Sequence, residues 1–140
     1  MRFVLDTGIL GRVVHPRKHR DVQLWFRGLV GVLGHEVLYA PLVDYELRRE
    51  LLRLGSTASL RQLDALRARF PALPLDETTL DVAADLWAQL RRRGLPTAGD
   101  EAMDVDVILA AQALRAGATV VTENARHLGR LVTVARWQDL

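Results

Sequence analysis

The chain begins with Met1-Arg2-Phe3-Val4-Leu5-Asp6-Thr7-Gly8, in which a short apolar run ends in an acid and a turn-forming pair. Such a run predicts a buried strand over residues 2 to 6, with Asp6 at its carboxyl end. A second run, Ala118 to Thr122, predicts another strand that ends in a polar residue. Short apolar strands separated by helices favour a parallel sheet, whose ligands collect outside the carboxyl ends of the strands. The sequence therefore predicts a site beside Asp6.

The remaining segments predict helices and two further strands. Helices are expected over Thr7 to His15, from His19 or Arg20 to about Val30, from Pro41 to Leu54, over about Ala58 to Arg69, from Glu77 to Arg93 and over Val105 to Ala116, and strands over Glu36 to Ala40 and Leu131 to Ala135. Residues 95 to 103 are expected to form a loop, with Asp104 capping the helix that follows. No linker or repeat divides the chain, so residues 1–140 are expected to form a single domain.

Composition limits the class of protein. The chain has 140 residues, of which 49% are hydrophobic and 26% charged, as in a globular domain that buries a core. No apolar run reaches the roughly 18 residues of a membrane span, and the first acid comes too early for a secretory signal. The absence of cysteine excludes disulfides and thiolate metal sites. We expect a cytoplasmic protein without membrane contact.

Three acids that are distant in sequence are candidates for one shared site. Asp6 ends the first strand, Glu46 lies one turn into the helix after Pro41, and Asp106 opens a helix that should be buried on most sides. A buried carboxylate is costly unless a cation, a hydrogen-bond donor or a helix terminus offsets its charge. Mg²⁺ and Mn²⁺ prefer oxygen ligands, and two such ions about 3.5 to 4 Å apart suit phosphodiester cleavage. Together the acids favour a divalent-metal site.

Each acid taken alone also has a structural interpretation. Asp6 can form a turn by accepting a hydrogen bond from the Gly8 amide. Glu46 can stabilise the N-terminus of its helix through the helix dipole. Asp104 and Asp106 are about 200° apart if both are helical, so they cannot point the same way. A capping role suits Asp104, and a functional role suits Asp106.

Taken together, the motifs resemble those of a known family. They are Val-Leu-Asp-Thr-Gly at 4–8, Pro-Leu-Val-Asp-Tyr-Glu-Leu at 41–47, Asp-Val-Asp-Val-Ile-Leu-Ala-Ala-Gln-Ala at 104–113 and Val-Val-Thr-Glu-Asn at 120–124. In this order, and over essentially the whole chain, they resemble a PIN domain of the VapC toxin type. The resemblance implies a three-layer α/β fold, with a central parallel sheet of about five strands in the order 3-2-1-4-5 and helices on both faces.

The same resemblance implies a function. It implies an endoribonuclease that depends on Mg²⁺ or Mn²⁺ and cleaves single-stranded RNA through metal-activated water. It also implies homodimerisation and inhibition by a partner antitoxin. These are expectations about substrate, cofactor and partners that the residues alone do not establish.

Carried over position by position, the family's three acids fall on Asp6, Glu46 and Asp106. We expect these residues to be catalytic and to bind one or two ions. A fourth acid of many relatives matches Asn124, whose amide brings no charge, so a second ion is less well supported. Asp104 is a further candidate ligand that would compensate.

Polar residues near the motifs are expected to support the ligands and the substrate. Side chains that orient ligands or water are common around metal ions, and the candidates here are Thr7, Thr122 and Asn124. Arginine binds phosphate oxygens with a planar fork, and the arginines nearest the motifs are Arg12, Arg48 and Arg126. The net charge of +2 is too small to diagnose nucleic-acid binding by itself.

Two other functions remain open at this stage. Because Asn124 lacks a charge, the chain could be a non-catalytic PIN-like module that binds RNA or a protein. A DNA-directed nuclease on a related fold is the third possibility. The small size of the chain disfavours it, because such enzymes use long additional elements to thread their substrate.

Overall fold

The computed structural model describes residues 1–94 and 100–140 of the chain. Within this part the sheet has four strands, β1 (Arg2–Leu5), β2 (Glu36–Leu38), β3 (Ala118–Val121) and β4 (Val134–Ala135). They are parallel and lie in the order β2-β1-β3-β4. Val4 of β1 is paired with Leu38 on one side and with Val120 on the other. The central strands β1 and β3 therefore end side by side at one edge of the sheet.

The described residues form a sheet of four strands where about five were expected. Beyond β2, Tyr39 forms an isolated parallel bridge with Ala72. The Tyr39 amide donates to the Pro71 carbonyl at 2.8 Å, and the Leu73 amide donates to the Tyr39 carbonyl at 2.8 Å. Pro71 and Pro74 have no N–H with which to extend the pairing. The predicted order 3-2-1-4-5 is thus present with its third strand reduced to this bridge.

Helices flank the sheet. In the described chain they are α1 (Thr7–Val13), α2 (Arg20–Gly31), α3 (Pro41–Leu54), α4 (Thr57–Arg69), α5 (Glu77–Arg92), α6 (Asp100–Ala116) and α7 (Ala125–Leu128), followed by a short 3-10 helix at Trp137–Asp139. Pro41 occupies the first turn of α3, as expected from its fixed φ and missing N–H. None of the described helices is both long enough and apolar enough to cross a membrane.

Helix α6 begins earlier than predicted. It starts at Asp100, so Asp104 lies inside the helix and does not cap it. The predicted loop over 95 to 103 is therefore wrong from residue 100 onward, and its first five residues lie outside the described part of the chain. Met103 and Val107, four residues apart on one face of α6, are buried against α5. Because these side chains pack against α5, the helix extends toward its N-terminus past Asp104, the residue expected to cap it.

The core lies between the helices and the two central strands. All four residues of β3 are buried, as are Phe3, Val4 and Leu5 of β1. Continuous apolar strands of this kind are typical of a parallel sheet that is covered on both faces. Gly117, with φ of +62°, makes the turn from α6 into β3. The last turn of α6 is thereby joined directly to the strand that ends beside Asp6.

The Asp44–Arg48 ion pair lies within α3, and Arg48 also reaches α4. The Asp44 side chain, 8% exposed, accepts hydrogen bonds from Arg48 Nε at 2.9 Å and Nη2 at 3.0 Å and from the Tyr39 hydroxyl. Arg48 also donates to Asp64 of α4 at 2.7 Å. Burial alone would raise the pKa of Asp44, but the hydrogen bonds from Arg48 and Tyr39 outweigh it and hold the pKa below its ordinary value.

Replacing Asp44 should therefore destabilise the fold. Asp44→Asn leaves the partly buried Arg48 without its main partner, and a loss of about 3 kcal/mol is expected. Urea unfolding at pH 7 measures it. The folded pKa lies below the unfolded value of about 4, so the contribution is present above that pH and is lost as the pH falls through the folded value. The difference between variant and parent should accordingly shrink in acid.

The control for this prediction is Asp81→Asn. Asp81 is exposed on α5, and its replacement should change the free energy of unfolding by less than about 0.5 kcal/mol. Equal losses in the two variants would show that Asp44 contributes no more than a surface charge.

Candidate functional site

Asp6 links β1 to α1 and is held by both central strands. Its Oδ1 accepts a hydrogen bond from the Ile9 amide at 3.0 Å, which makes Asp6 the N-cap of α1. The donor is thus Ile9 rather than Gly8. Its Oδ2 accepts from the hydroxyl of Thr122, which follows β3, and the Asp6 amide donates to the Val121 carbonyl at 3.1 Å. We call the Asp6 carboxylate with its immediate neighbours the Asp6 site.

The charge of Asp6 is incompletely compensated. Burial raises the pKa of its carboxyl above the ordinary value, and the hydrogen bonds from Thr122 and Ile9 lower it only in part. The neighbouring Glu123 carboxylate raises the pKa further, whereas Arg12 lowers it. A cation beside this carboxylate would favour its ionised form.

Thr122 is fully buried and connects three parts of the site. Its hydroxyl donates to Asp6 and accepts from the Asn124 amide at 2.8 Å, and its own amide donates to the Ala135 carbonyl at 3.1 Å. It therefore fixes the orientation of the Asp6 carboxylate. Asn124 is half-buried at the start of α7, and its side chain makes no capping hydrogen bond. Thr7, the first residue of α1, is also half-buried.

Helices α3 and α6 carry the two other predicted acids, Glu46 and Asp106. Helix α3 packs against α1, which starts directly after Asp6, and against α6. Both carboxylates are on half-buried residues. Among the described residues, however, no three His, Cys, Asp or Glu side chains are close enough together to hold a metal ion. The packing of these helices therefore does not by itself bring the carboxylates into a preassembled ligand set within the described residues.

Asp104 lies on a different side of α6 from Asp106. It is exposed and lines an open groove between α5 and α6, whose other walls include Leu80, Trp87 and Ile108. Two helical positions that are two residues apart diverge by about 200°. The two carboxylates therefore face different surfaces.

The three arginines predicted to bind RNA differ in the ion-pair partners of their guanidinium groups. Arg48 is engaged by the buried carboxylate of Asp44. Arg126 is exposed on α7 and has no ion pair within the described chain. Arg12 Nη1 donates to Glu123 Oε1 at 3.1 Å, with both side chains more than a third exposed. The guanidinium groups of Arg12 and Arg126 are thus the more accessible ones.

Glu123 is a site residue that sequence reasoning missed. Its Oε1 accepts hydrogen bonds from Arg12 Nη1, from Trp137 Nε1 at 2.8 Å and from Gln138 Nε2 at 3.5 Å. Its position next to Thr122 was the one signal that could have drawn attention to it. Trp137 lies in no motif, and nothing in the sequence connects it with Asp6.

The types of oxygen atom around Asp6 are those that a hard divalent cation prefers as ligands. They are carboxylate, hydroxyl and amide oxygens, which Mg²⁺ and Mn²⁺ prefer, and the chain has no cysteine. The half-buried Asp6 carboxylate, whose pKa remains raised despite two hydrogen bonds, is the observation that fits a positive ion. A bound ion would still have to draw Glu46 and Asp106 together.

Comparison with known proteins identifies the fold. The family model described as PIN domain matches residues 3–131. No curated protein matches the sequence significantly. Similar solved structures include VapBC-1 from nontypeable Haemophilus influenzae, with 21% identity, a TM-score of 0.74 and 99% of each chain covered. VapBC2 from Rickettsia felis, bound to a promoter DNA fragment, matches with 18% identity, a TM-score of 0.79 and 98% of this chain and 99% of that one covered.

A third similar structure is DNA-bound VapBC from Salmonella typhimurium. It shares 20% identity and a TM-score of 0.76, with 98% of each chain covered. At these identities the likeness concerns the fold, which extends over nearly the entire length of each chain.

The hydrogen bond from Thr122 to Asp6 leads to a testable prediction. Thr122→Val removes the hydroxyl but retains the buried shape, so Asp6 loses a donor that lowers its pKa. The pKa of Asp6 should therefore rise further above its ordinary value. An NMR titration of the Asp6 side chain in metal-free protein measures the change.

Thr119→Val is the matched control, because Thr119 is a buried threonine of β3 that is not among the groups acting on the pKa of Asp6. It should leave the pKa of Asp6 unchanged. Equal shifts in the two variants, or no shift in Thr122→Val, would show that the hydroxyl does not control the ionisation of Asp6.

Proposed function

The chain belongs to the PIN-domain family, and from this premise we propose that it is a divalent-metal-dependent endoribonuclease that cleaves single-stranded RNA. The observation that carries the proposal is the Asp6 carboxylate, which is half-buried where the central strands end and is oriented by Thr122. A carboxylate held in this way, with a raised pKa, is costly for a fold. Such perturbed groups concentrate at functional sites.

In this proposal Asp6, Glu46 and Asp106 hold one or two Mg²⁺ or Mn²⁺ ions. When bound, the ion would supply an activated water for attack on phosphorus and positive charge for the phosphate. Thr122 keeps the Asp6 carboxylate aimed at the ion. Asn124 offers an amide oxygen without charge, which favours one tightly bound ion over two.

The substrate phosphates are assigned to exposed arginines. Arg12 and Arg126 have accessible guanidinium groups close in sequence to the residues of the Asp6 site. Arg48 is assigned instead to stability, because contact with RNA would require it to leave the buried Asp44. Asp104 is not assigned as an ion ligand, because it lines the groove between α5 and α6 instead.

Removing either principal acid should abolish activity. Asp6→Asn and Asp106→Asn replace a charged ligand by a neutral amide, so cleavage of labelled single-stranded RNA in Mn²⁺ should fall below detection. Circular dichroism and thermal unfolding should show that both variants remain folded. Gel analysis of cleavage over time gives the rates.

Asp104→Asn is the control for these acids, because it makes the same chemical change on another side of α6. It should cut RNA at close to the parental rate. Parental rates in Asp6→Asn and Asp106→Asn would refute the assignment of the site. A marked loss of activity in Asp104→Asn would show that Asp104 is also an ion ligand.

A non-catalytic module that binds RNA or protein is the second candidate. It is favoured by Asn124 and by the carboxylates not being preassembled in the described residues. Mn²⁺ calorimetry separates the two, because a scaffold without a site would show no binding that depends on Asp6. Faster cleavage of duplex or flap DNA than of single-stranded RNA would instead indicate the DNA-directed nuclease.

We also propose that the chain is the toxin of a toxin–antitoxin pair, that it acts in the cytoplasm and that it forms a homodimer. The support for the partner is the near full-length likeness in fold to chains of VapBC assemblies. A partner peptide would place apolar anchors between helices and bring a cation near the acids.

Expression of the chain alone should arrest the growth of a bacterial host, because cleavage of cellular RNA stops protein synthesis. Asp106→Asn should not arrest growth at the same protein level. Growth curves and gels of total RNA measure both effects. Arrest by both forms alike would show that toxicity does not depend on the proposed chemistry.

A further inference from the structure

We infer that Glu123 and Trp137 are positioning residues that hold the Arg12 guanidinium beside the Asp6 site, where it binds a phosphate oxygen of the RNA. The inference rests on the proposed function and extends it to how the substrate phosphate is received. It concerns three residues that come together only in the folded chain, since Arg12 and Glu123 are 111 positions apart.

The contacts form a continuous path from the core to Arg12. Trp137 packs against the main hydrophobic core, with its ring centroid 6.2 Å from that of Trp25. Its indole donates to Glu123 Oε1 at 2.8 Å, and the same oxygen accepts from Arg12 Nη1 at 3.1 Å. A carboxylate that is fixed by a packed indole restricts the orientations of the guanidinium that it binds.

Arg12 is held by its backbone but retains free donors. Its carbonyl accepts a hydrogen bond from Gln23 Nε2 at 3.2 Å, which ties the end of α1 to α2. In the part of the chain that the structure describes, Glu123 is the partner of its guanidinium and contacts Nη1 alone. Nε and Nη2 keep N–H groups for a second anion, and the side chain is 38% exposed.

Both members of this ion pair lie on the elements that hold Asp6. Arg12 is on α1, the helix that Asp6 caps. Glu123 directly follows Thr122, whose hydroxyl contacts the Asp6 carboxylate. An anionic phosphate that approaches the site's carboxylates is repelled by them, so a fixed cation at this place favours its binding. Glu123 keeps the cation in place while an exposed guanidinium edge stays open.

A double-mutant cycle on RNA binding tests the inference. Anisotropy of fluorescein-labelled single-stranded RNA, in EDTA so that cleavage does not interfere, gives Kd for the parent, Arg12→Ala, Glu123→Ala and the double variant. Arg12→Ala should weaken binding about tenfold and reduce the slope of log K against log salt by about 0.7. Glu123→Ala should also weaken binding, and the double variant should be no weaker than Arg12→Ala.

Trp137→Phe provides a second measurement, because it keeps the packed ring and removes the N–H. It should weaken RNA binding in the parent background and have no effect in Arg12→Ala. Arg61→Ala is the matched charge control, since Arg61 is an exposed arginine of α4. It should leave Kd within about twofold and the salt slope unchanged. Thermal unfolding shows whether each variant is folded.

The outcomes separate this inference from the proposed function. RNA that is bound with the expected coupling but not cut would refute the nuclease and keep the inference. RNA that is cut while the losses in the cycle add independently would keep the nuclease and overturn the inference. No RNA binding by the parent in EDTA would overturn the inference, and no cleavage of RNA in Mn²⁺ as well would overturn both. A Mn²⁺ affinity that falls more than tenfold in Glu123→Ala would also overturn it, because Glu123 would then be an ion ligand.

Discussion

The hydrogen bond from the Thr122 hydroxyl to the Asp6 carboxylate connects the ends of the two central strands. Asp6 ends β1, caps α1 and receives the donor from the segment after β3, so one side chain determines how three elements meet. Helix α3 in turn packs against both α1 and α6. The cost of this arrangement is a half-buried negative charge that two hydrogen bonds do not fully compensate.

Two arginine–carboxylate pairs in the molecule differ in the exposure of their side chains, and this difference separates a pair that stabilises the fold from one whose arginine can bind a ligand. In the Arg48–Asp44 pair the side chains are 21% and 8% exposed, and both oxygens of the carboxylate are occupied. In the Arg12–Glu123 pair they are 38% and 35% exposed. A pair of the second kind adds little to stability. Its arginine can therefore contact a phosphate at small cost, whereas Arg48 cannot.

The carboxylates proposed as ligands lie on elements that pack against one another, but among the described residues they do not form a preassembled ligand set. Like charges repel at short range, so a tight group of acids is stable only with a cation between them. An arrangement in which Thr122 orients Asp6, while Glu46 and Asp106 lie on two helices that pack against each other, is consistent with a site completed by its ion. The neutral Asn124 reduces the repulsion that such an ion must overcome.

Much of the fold could be predicted from local sequence. The apolar runs of β1 and β3 had to be strands covered on both faces, and Pro41 and Gly117 marked where helices begin and end. The place of Asp6 at the end of β1 followed from the same pattern. These features depend on neighbours within a few positions along the chain, so the residues themselves carry the information.

Other features arose from contacts that no local pattern encodes. Helix α6 begins at Asp100, earlier than predicted, because Met103 is buried against α5. The path from Trp137 through Glu123 to Arg12 joins the end of the chain to its first helix. Hydrogen bonds of this kind form between residues that become neighbours when the sheet and helices pack. Periodicity could indicate which residues would be buried, but the partners of each polar group depended on the packing itself.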